Sequence, residues 1–334
     1  MRYTRLGSTS IEVSVIAFGA WAIGGTFWGG TDEKAAERAI KISIDAGINF
    51  IDTAPGYGLG LSEEILGRAI KGKRDSVVIS TKCGIIWDRA EGEYYFKLPL
   101  PDKSEGIDMY RNLRKESIKK ELQSSLSRLN TDYIDLYFTH WPDPQTPAEE
   151  TMNTLIELKE KGYIRAIGVS NVSIDLIKEF AKYGKIDADQ EQYSLIDRNV
   201  EAELLPWCRE NGASMLAYSP LSKGLLTGKL NPDRKFSSDD IRVFFDDRRF
   251  HSKNIEKTNK LLKKHVGPIA EKHNASIGNI AVAYLISNSS VIALCGARNE
   301  IQAAENSKAG DIILDNEDKK AVELFISNYK EDCF

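Results

Sequence analysis

Short apolar runs alternate with longer amphipathic stretches along the whole chain. Eight apolar runs bounded by Gly, Pro or polar residues predict buried strands. They cover residues 15–19, 48–52, 77–82, 134–140, 164–170, 186–190, 214–219 and 291–296. The amphipathic stretches predict helices over residues 32–46, 61–70, 113–129, 148–161, 173–183, 200–211 and 277–287. Because strands and helices alternate, and right-handed crossovers are expected, they most simply close into a (β/α)8 barrel.

Three segments depart from this plain repeat. Residues 3–13, around Gly7-Ser8-Thr9, predict a hairpin that plugs the amino-terminal end of the barrel. Residues 83–112 and 219–254 both leave the carboxyl-end face, and they are too long for ordinary strand–helix loops, which favours a functional role. The predicted fold class is therefore α/β. We expect a single (β/α)8 TIM barrel domain over residues 1–334, with an N-terminal β-hairpin and two long C-terminal-face loops.

Composition narrows the classes of partner. The chain has 334 residues, of which 42% are hydrophobic and 28% charged, and its net charge of -4 comes from interspersed signs. The sequence contains no basic stripe for nucleic acid, no signal-peptide core and no apolar run long enough to span a membrane. Its four cysteines are scattered without a CxxC pair, and His251, His265 and His273 lie outside any metal-ligand cluster. We therefore expect a cytoplasmic protein that binds no metal, nucleic acid or membrane, and the oligomeric state stays open.

Proton-handling side chains follow three of the predicted strands. Asp52 ends the second strand and is soon followed by Tyr57. Lys82 ends the third strand and His140 ends the fourth. The carboxyl ends of successive parallel strands lie side by side in a barrel, so these four side chains are expected to meet in one pocket. In contact, an acid, a phenol, an amine and an imidazole can shift one another's pKa by several units, which can make a phenol a usable acid at neutral pH.

Longer motifs give the chain a family resemblance. It resembles the aldo-keto reductases through FIDTAPGYG at 50–58, LGRAI at 66–70, LYFTHWPDP at 136–144, IRAIGVSN at 164–171, AYSPLSKGLLTGK at 217–229 and CGARNEIQAAEN at 295–306. Each motif is moderately specific, and together they span essentially the whole chain. The pattern is more similar to the bacterial sugar- and inositol-related and channel-β-subunit-like branches than to the mammalian steroid and aldose reductases. The resemblance implies a barrel enzyme that moves hydride between NAD(P)H and a small carbonyl or alcohol.

The resemblance also implies roles for the four residues at the strand ends. Tyr57 would donate the proton to the carbonyl oxygen, and His140 would donate a hydrogen bond that orients the carbonyl. Lys82, as an ammonium group beside the phenol, is expected to lower the pKa of Tyr57. Asp52 is expected to pair with Lys82 and to keep it charged, because a buried lysine otherwise deprotonates.

A cofactor site and a substrate site are implied in the same way. The positions that match the family's cofactor contacts are Ser170, Asn171, Gln190, Tyr218, Ser219, Leu221, Lys223, Gly224, Leu225, Gly296, Ala297, Arg298, Gln302, Glu305 and Asn306. The best-known branch has Lys and Arg where this chain has Gly296 and Gln302, so recognition of a 2′-phosphate falls to Arg298, which can clamp it bidentately. NADP(H) is favoured and NAD(H) stays possible. The candidate substrate contacts are the loop aromatics Trp21, Phe27, Trp28, Trp87 and Trp141.

Several alternatives stay open. Taken alone, Asp52 could cap a turn, Tyr57 could be a surface aromatic, and Lys82 could be a solvated charge. Packing of the long loops explains the tryptophans as well as substrate contact does. A nucleotide-sensing regulatory subunit is a second possible function, since a related branch docks onto membrane channels. A Schiff-base aldolase using Lys82 is a third, which Asp52 opposes by keeping the amine charged. An aldehyde, ketone, sugar, polyol or inosose type of substrate remains possible, and so does either direction of the reaction.

Overall fold

The computed structural model describes residues 1–100 and 103–332. Its strands are β1 (Tyr3–Arg5), β2 (Glu12–Ser14), β3 (Ile16–Gly19), β4 (Phe50–Asp52), β5 (Val78–Cys83), β6 (Ile85–Ile86), β7 (Glu93–Leu100), β8 (Lys103–Arg111), β9 (Ile134–Thr139), β10 (Ile164–Ser170), β11 (Ala188–Gln192), β12 (Ser214–Tyr218) and β13 (Val291–Gly296). The eight predicted strands correspond to β3, β4, β5 and β9 to β13.

The eight predicted strands form a closed parallel barrel. Their spatial order is β10-β11-β12-β13-β3-β4-β5-β9, and β9 pairs back with β10. Asp52 is in register with Gly19 of β3 on one side and with Ser80 of β5 on the other. The carboxyl ends of neighbouring strands therefore lie together at one face, and the predicted barrel is confirmed.

Helices cover the outer face of the barrel. They are α1 (Glu33–Asp45), α2 (Leu61–Ala69), α3 (Lys115–Leu129), α4 (Ala148–Glu160), α5 (Ile174–Ala181), α6 (Leu204–Asn211), α7 (Ile241–Phe244), α8 (Ser252–His265), α9 (Gly267–Lys272), α10 (Ile277–Leu285), α11 (Glu300–Ser307) and α12 (Asn316–Asp332). The seven predicted helices are present as α1 to α6 and α10, and the other five were not predicted. Asp32 caps α1 and Ser173 caps α5, each by accepting a backbone N–H with its side chain. Apolar helix faces and outward strand residues form the main core.

The predicted N-terminal hairpin fills one end of the barrel. Strands β1 and β2 pair antiparallel. The apolar side chains of Leu6, Ile11 and Val13 are buried against inward residues of the barrel strands, including Phe50 and Phe138. Packed side chains close this end, and the large cavity of the described residues lies at the carboxyl end.

Both predicted excursions lie over that open end. Residues 83–112 contain a three-stranded antiparallel sheet in the order β6-β8-β7, although Pro101 and Asp102 lie outside the described residues. Residues 219–254 contain α7 and short 3-10 turns. Leu98 and Met109 of the small sheet share an apolar cluster with Ile241 of α7. The two excursions therefore form one joint cover over the mouth of the barrel.

The described residues also bear on membrane, metal and disulfide chemistry. Among the helices that they form, none has both the length and the apolar character needed to cross a membrane. Residues 1–100 and 103–332 contain no group of three or more His, Cys, Asp or Glu that could hold a metal ion. Cys83, Cys208 and Cys295 are buried free thiols, and Cys333 lies outside the described residues.

Candidate active site

Neighbouring barrel strands bring the four predicted catalytic side chains together. Asp52 ends β4, Lys82 lies near the end of β5, and His140 directly follows β9. The backbone N–H of His140 donates to the carbonyl of Cys83 at 2.9 Å, which fastens the end of β9 to β5. Tyr57 stands in the turn before α2, and its ring meets the ring of His140 edge-on with centroids 5.7 Å apart. The four side chains thus share one site.

A buried ion pair forms the floor of this site. The Nζ of Lys82 lies 2.8 Å from Oδ2 of Asp52 and donates a second hydrogen bond of 2.7 Å to the Thr53 carbonyl. Lys82 is 1% exposed and Asp52 is 3% exposed, so both charges are removed from water. The Ser80 hydroxyl and the Gln190 amide donate to Oδ1 of Asp52 at 2.7 and 3.0 Å. These bonds compensate for the desolvation of the pair.

Ser80 is a contact that the sequence analysis missed. It lies two residues before Lys82 on β5, so alternation along the strand puts both side chains on the inward face. A hydroxyl at an inward position of an otherwise apolar strand was the available signal, because a buried polar group needs a partner.

The turn that carries Tyr57 is fixed by close backbone packing. Gly58 has φ +67°, and a Cβ at this position would lie 2.2 Å from the carbonyl oxygen of Gly24. Only glycine fits both the left-handed conformation and the contact. The turn therefore holds the Tyr57 ring in place, with the Nζ of Lys82 4.9 Å from the ring centroid.

Burial is the largest cause of the pKa shifts of Tyr57, Lys82 and His140. Burial and then the charge of Asp52 raise the pKa of Tyr57 well above its ordinary value of 10.0. Burial lowers the pKa of Lys82, although the charge of Asp52 and the hydrogen bond to it act in the opposite direction. Burial and then the charge of Lys82 hold the pKa of His140 well below 6.5. The site thus presents a protonated phenol beside a neutral imidazole at neutral pH.

The expected lowering of the Tyr57 pKa by Lys82 is wrong in direction. The ammonium group of Lys82 is engaged by Asp52 and by the Thr53 carbonyl, and the burial of the phenol followed by the charge of Asp52 sets the direction of the shift. The consequence favours proton donation, since the phenol keeps its proton over the whole neutral range.

The ends of four strands are cross-linked at Asn171. Its amide nitrogen donates to the carbonyl of His140 at 2.9 Å, and its Oδ1 accepts the Tyr218 hydroxyl at 2.9 Å. The Ser170 hydroxyl donates to the carbonyl of Gln190 at 2.7 Å. Asn171 itself is left-handed, with φ +58°. Residues predicted to hold the nicotinamide carboxamide are therefore fixed beside the catalytic cluster.

One cavity of about 960 Å³ connects the catalytic cluster with the predicted cofactor residues. The predicted cofactor residues that line it are Ser170, Asn171, Gln190, Tyr218, Ser219, Leu221, Lys223, Gly224, Gly296, Arg298, Gln302, Glu305 and Asn306. A Cβ on Gly224, at φ +94°, would meet no atom within 4 Å, so the backbone there borders open space. An aromatic ring, amides and cations along one elongated cavity suit an extended dinucleotide.

Two predicted cofactor residues do not reach the cavity. Ala297 is 1% exposed and packs into the main core. Leu225 is fully buried in a cluster with Leu230 and Phe250. The apolar side chains of both residues pack into the interior of the protein rather than against the cavity.

The two cations predicted to meet phosphate groups are already engaged. The Nζ of Lys223 lies 3.1 Å from a carboxylate oxygen of Asp247. The guanidinium of Arg298 donates to the carbonyls of Trp28 and Gly30 at 2.8 and 2.6 Å. Arg298 therefore ties the end of the cavity at which the adenosine is predicted to the loop that follows β3.

Aromatic side chains form the wall next to Tyr57. Trp21 lies 6.2 Å from the ring of Tyr57 and 5.4 Å from the ring of Trp28. The apolar residues that line this part of the cavity are Trp21, Phe27, Trp28, Ile85, Tyr95, Phe96, Leu98, Met109, Trp141, Ile241 and Phe245. The predicted contact Trp87 is not among them. Because residues 83–112 fold as a sheet, Trp87 packs against the apolar cluster without lining the cavity.

Comparison with known proteins agrees with this geometry. A family model described as the aldo/keto reductase family matches residues 15–326. The chain is 41% identical over 325 residues to the NADH-specific methylglyoxal reductase of Escherichia coli (strain K12), covering 95% of this chain and 96% of the relative. It is 39% identical over 336 residues to aldo-keto reductase YhdN of Bacillus subtilis (strain 168), and the match covers 98% of this chain and 94% of the relative. The solved structure of the glycerol dehydrogenase AKR11B4 from Gluconobacter oxydans aligns with a TM-score of 0.86 at 36% identity. The alignment covers 98% of this chain and 95% of that chain.

The chain belongs to the aldo/keto reductase family. It is an NAD(P)H-dependent oxidoreductase that interconverts carbonyl and alcohol groups, and the family resemblance found in its motifs is confirmed.

Proposed function

We propose that this chain reduces neutral carbonyl compounds at the cluster of Tyr57, His140, Lys82 and Asp52. The observation that carries the proposal is the combination of a protonated phenol, a neutral imidazole and a fixed ion pair at the end of one cavity. NAD(P)H held in the same cavity would supply the hydride.

Tyr57 is the proposed proton donor in reduction. Its phenol would protonate the carbonyl oxygen as negative charge develops there, a contribution of roughly 10²–10⁴ in rate. The imidazole of His140 would donate a hydrogen bond to the same oxygen, for roughly 10²–10³. Lys82 would stabilise the phenolate left behind on Tyr57, and Asp52 would hold Lys82 in place for that task.

Cofactor binding is proposed for the residues along the rest of the cavity. Ser170, Asn171 and Gln190 would hold the carboxamide, and Tyr218 would stack on the nicotinamide ring. Pyrophosphate would lie along Ser219, Leu221, Lys223 and Gly224, and the adenosine along Gly296, Arg298, Gln302, Glu305 and Asn306. Lys223 would then exchange the carboxylate of Asp247 for a phosphate group.

The preference for NADP(H) over NAD(H) stays a prediction that depends on Arg298. We expect Arg298→Ala to weaken NADPH binding by about 1.5–3 kcal/mol, the range for a charged hydrogen bond, and NADH binding by much less. Dissociation constants of both cofactors, measured by fluorescence titration on wild type and variant, provide the test.

Two results would contradict this preference. Tighter binding of NADH than NADPH by the wild-type protein would overturn it directly, and the Escherichia coli relative is itself described as NADH-specific. Equal weakening of both cofactors by Arg298→Ala would assign Arg298 to holding the loop around Trp28 and Gly30 instead.

The wall beside Tyr57 supports a neutral substrate with a flat apolar face. Its lining is almost entirely aromatic and aliphatic. Arg242, a charged residue that lines the cavity, is 8% exposed and forms a bidentate pair with Asp240 at 2.7 and 2.5 Å. Arg242 is thus compensated by Asp240, whereas Arg234, the cation beside it, is exposed to solvent. A carboxylate on the substrate would be desolvated at a cost against this wall. Aromatic aldehydes and ketones fit this wall better than charged keto acids.

Trp28→Leu tests the wall against a matched control. We expect kcat/KM for 4-nitrobenzaldehyde to fall by about fivefold in Trp28→Leu, because a stacked ring contributes about 1 kcal/mol beyond its buried area. Trp87→Leu, outside the cavity, should leave it unchanged. In wild type, 4-carboxybenzaldehyde should react more slowly than 4-nitrobenzaldehyde. Equal effects of the two tryptophan variants, or faster turnover of the charged aldehyde, would contradict this assignment.

The two other functions have direct tests. Tight cofactor binding without turnover of any carbonyl would favour a regulatory subunit over an enzyme. Covalent trapping by borohydride plus a carbonyl would indicate a Schiff base on Lys82, against which its hydrogen bonds to Asp52 and Thr53 argue. The single-domain organisation and the cytoplasmic location stay predictions from the sequence.

A further inference from the structure

Strand β11 carries two carboxyl groups on the face opposite to Gln190. Ala188 and Gln190 face into the barrel, where Gln190 donates to Asp52 at 3.0 Å. Because side chains alternate along a strand, Asp189 and Glu191 face outward, toward the helical layer. Asp189 is 0% exposed and Glu191 9% exposed. Because the two residues lie two positions apart on the same face of one strand, their carboxyl groups are neighbours.

Within the part of the chain that the structure describes, the Asp189 carboxyl group lacks the hydrogen bonds that a buried carboxylate normally accepts. Neither of its carboxyl oxygens has a partner among the donors of the described residues. The titratable groups that act on the pair from the packed elements are the thiol of Cys208 on α6 and the phenol of Tyr218 on β12. Burial and the nearby carboxylates raise the pKa of both groups, so both stay neutral. A proton held between the two carboxyl groups supplies the missing hydrogen bond.

The protonation of the pair agrees with its burial. Burial and then the charge of Glu191 raise the pKa of Asp189 well above 3.8, and burial raises the pKa of Glu191 to about 7. A carboxyl group whose pKa is raised by folding binds its proton more tightly in the folded state. The stabilisation it gives is therefore complete at low pH and is lost as the pH rises through the raised value. With both pKa values raised in this way, the pair keeps a proton at neutral pH and loses it only at higher pH.

The pair supports the turn that contains Asn171. An oxygen of the Glu191 carboxyl group accepts the backbone N–H of Val172 at 2.8 Å. Val172 directly follows Asn171, whose φ of +58° is unfavourable for a residue with a side chain and needs support from its surroundings. Through its side chain, Asn171 contacts the His140 carbonyl and the Tyr218 hydroxyl. The carboxyl pair thus lies directly behind the proposed nicotinamide contacts.

We infer that Asp189 is a positioning residue, which shares one proton with Glu191 and thereby fixes Val172 and Asn171 for cofactor binding. Loss of the shared proton places two carboxylates in one buried site, where they repel each other and release the turn. Cofactor affinity then decreases in alkaline solution. The inference rests on the proposed cofactor role of Asn171, and it adds a proton dependence to that role.

The test uses amide variants that keep the shape of the pair. In wild type, the shared proton forms the hydrogen bond between the two carboxyl groups. In Asp189→Asn and in Glu191→Gln, an amide N–H donates this hydrogen bond to the remaining carboxylate, and it does so at every pH. Cofactor dissociation constants are measured from pH 7 to 10. We expect wild-type affinity to fall by up to about tenfold per pH unit once the proton is lost, and both variants to stay level. Glu121→Gln is the control, since burial raises the pKa of Glu121 to about 8 at a site away from Asn171. It should keep the wild-type decrease.

A second measurement needs no cofactor. Infrared spectra in heavy water at pH 8 should contain a protonated-carboxyl band in wild type that is lost in Asp189→Asn. Absence of that difference would overturn the shared proton. An alkaline loss of affinity that persists in both amide variants would overturn the positioning role. If Asn171→Ala binds cofactor as wild type does while the infrared difference persists, the proposed carboxamide contact fails, and the positioning role fails with it, whereas the shared proton stands.

Discussion

Tyr57→Phe is expected to lower kcat for carbonyl reduction by at least about 10², the lower range for general acid catalysis. The variant removes one hydroxyl from a ring that is fixed by the packing of Gly58 against Gly24 and by its edge-on contact with His140. Packing and the cavity should therefore be preserved. Steady-state kinetics with a saturating aldehyde and cofactor give kcat, and fluorescence titration gives cofactor affinity, which should stay nearly constant.

A matched control separates this loss from a general effect of deleting a hydroxyl. Tyr94 is 53% exposed on the small sheet, so Tyr94→Phe should keep full activity. The pH profile adds a second criterion. Because burial keeps the phenol protonated to well above pH 10 and keeps His140 neutral, wild-type reduction should show no inflection near pH 6.5. Retention of most of kcat in Tyr57→Phe would remove Tyr57 from the role of proton donor.

The arrangement of the active site is predictable from the sequence because successive parallel strands of a barrel are neighbours in space, so residues at their carboxyl ends lie close together. Asp52, Lys82 and His140 each stand at the end of a strand that the apolar pattern indicates, and parallel closure places those ends at one face. Tyr57 lies only five residues after Asp52, the end of β4, so the short turn between them keeps it at the same face. The hairpin over residues 3–13 was equally visible, since its apolar residues had no helix or barrel strand to join.

Other features depend on distances that a sequence does not contain. The direction of the Tyr57 pKa shift is set by burial and by the charge of Asp52, which both depend on three-dimensional spacing. The sequence predicts Trp87 at the substrate because it predicts a long loop over residues 83–112. Once this segment pairs as β6, β7 and β8, the pairing decides which aromatics face the cavity.

The sequence pattern also does not indicate which residues behind the active site support it. Ser80 and Asp189 lie on predicted strands, and Glu191 directly follows the predicted end of one, but their hydrogen-bond partners come from other parts of the chain. The phosphate-binding roles of Lys223 and Arg298 followed from motif position, whereas their ion pair and loop contacts follow from how the two excursions fold.

Lys82→Met is expected to affect both folding and catalysis. The substitution leaves the Asp52 carboxylate 3% exposed and without its cation, and removing one partner of a buried pair costs about 3–5 kcal/mol. Ser80 and Gln190 would still donate to Asp52, so the protein should fold with reduced stability. Turnover should also fall, because no cation remains to stabilise the phenolate of Tyr57. Urea unfolding followed by tryptophan fluorescence measures the first effect, and steady-state kinetics measure the second.

The double variant Asp52→Asn/Lys82→Met separates the two effects. Removing both charges abolishes the uncompensated carboxylate, so most of the lost stability should return, as it does when buried pairs are replaced together. Catalysis should not return, since the ammonium group beside Tyr57 is still absent. Lys41→Met, an exposed lysine, is the control and should change stability by no more than about 0.5 kcal/mol. Recovery of both stability and turnover in the double variant would show that the pair serves only the fold. A single variant as stable as wild type would show that Asp52 takes up a proton when Lys82 is removed.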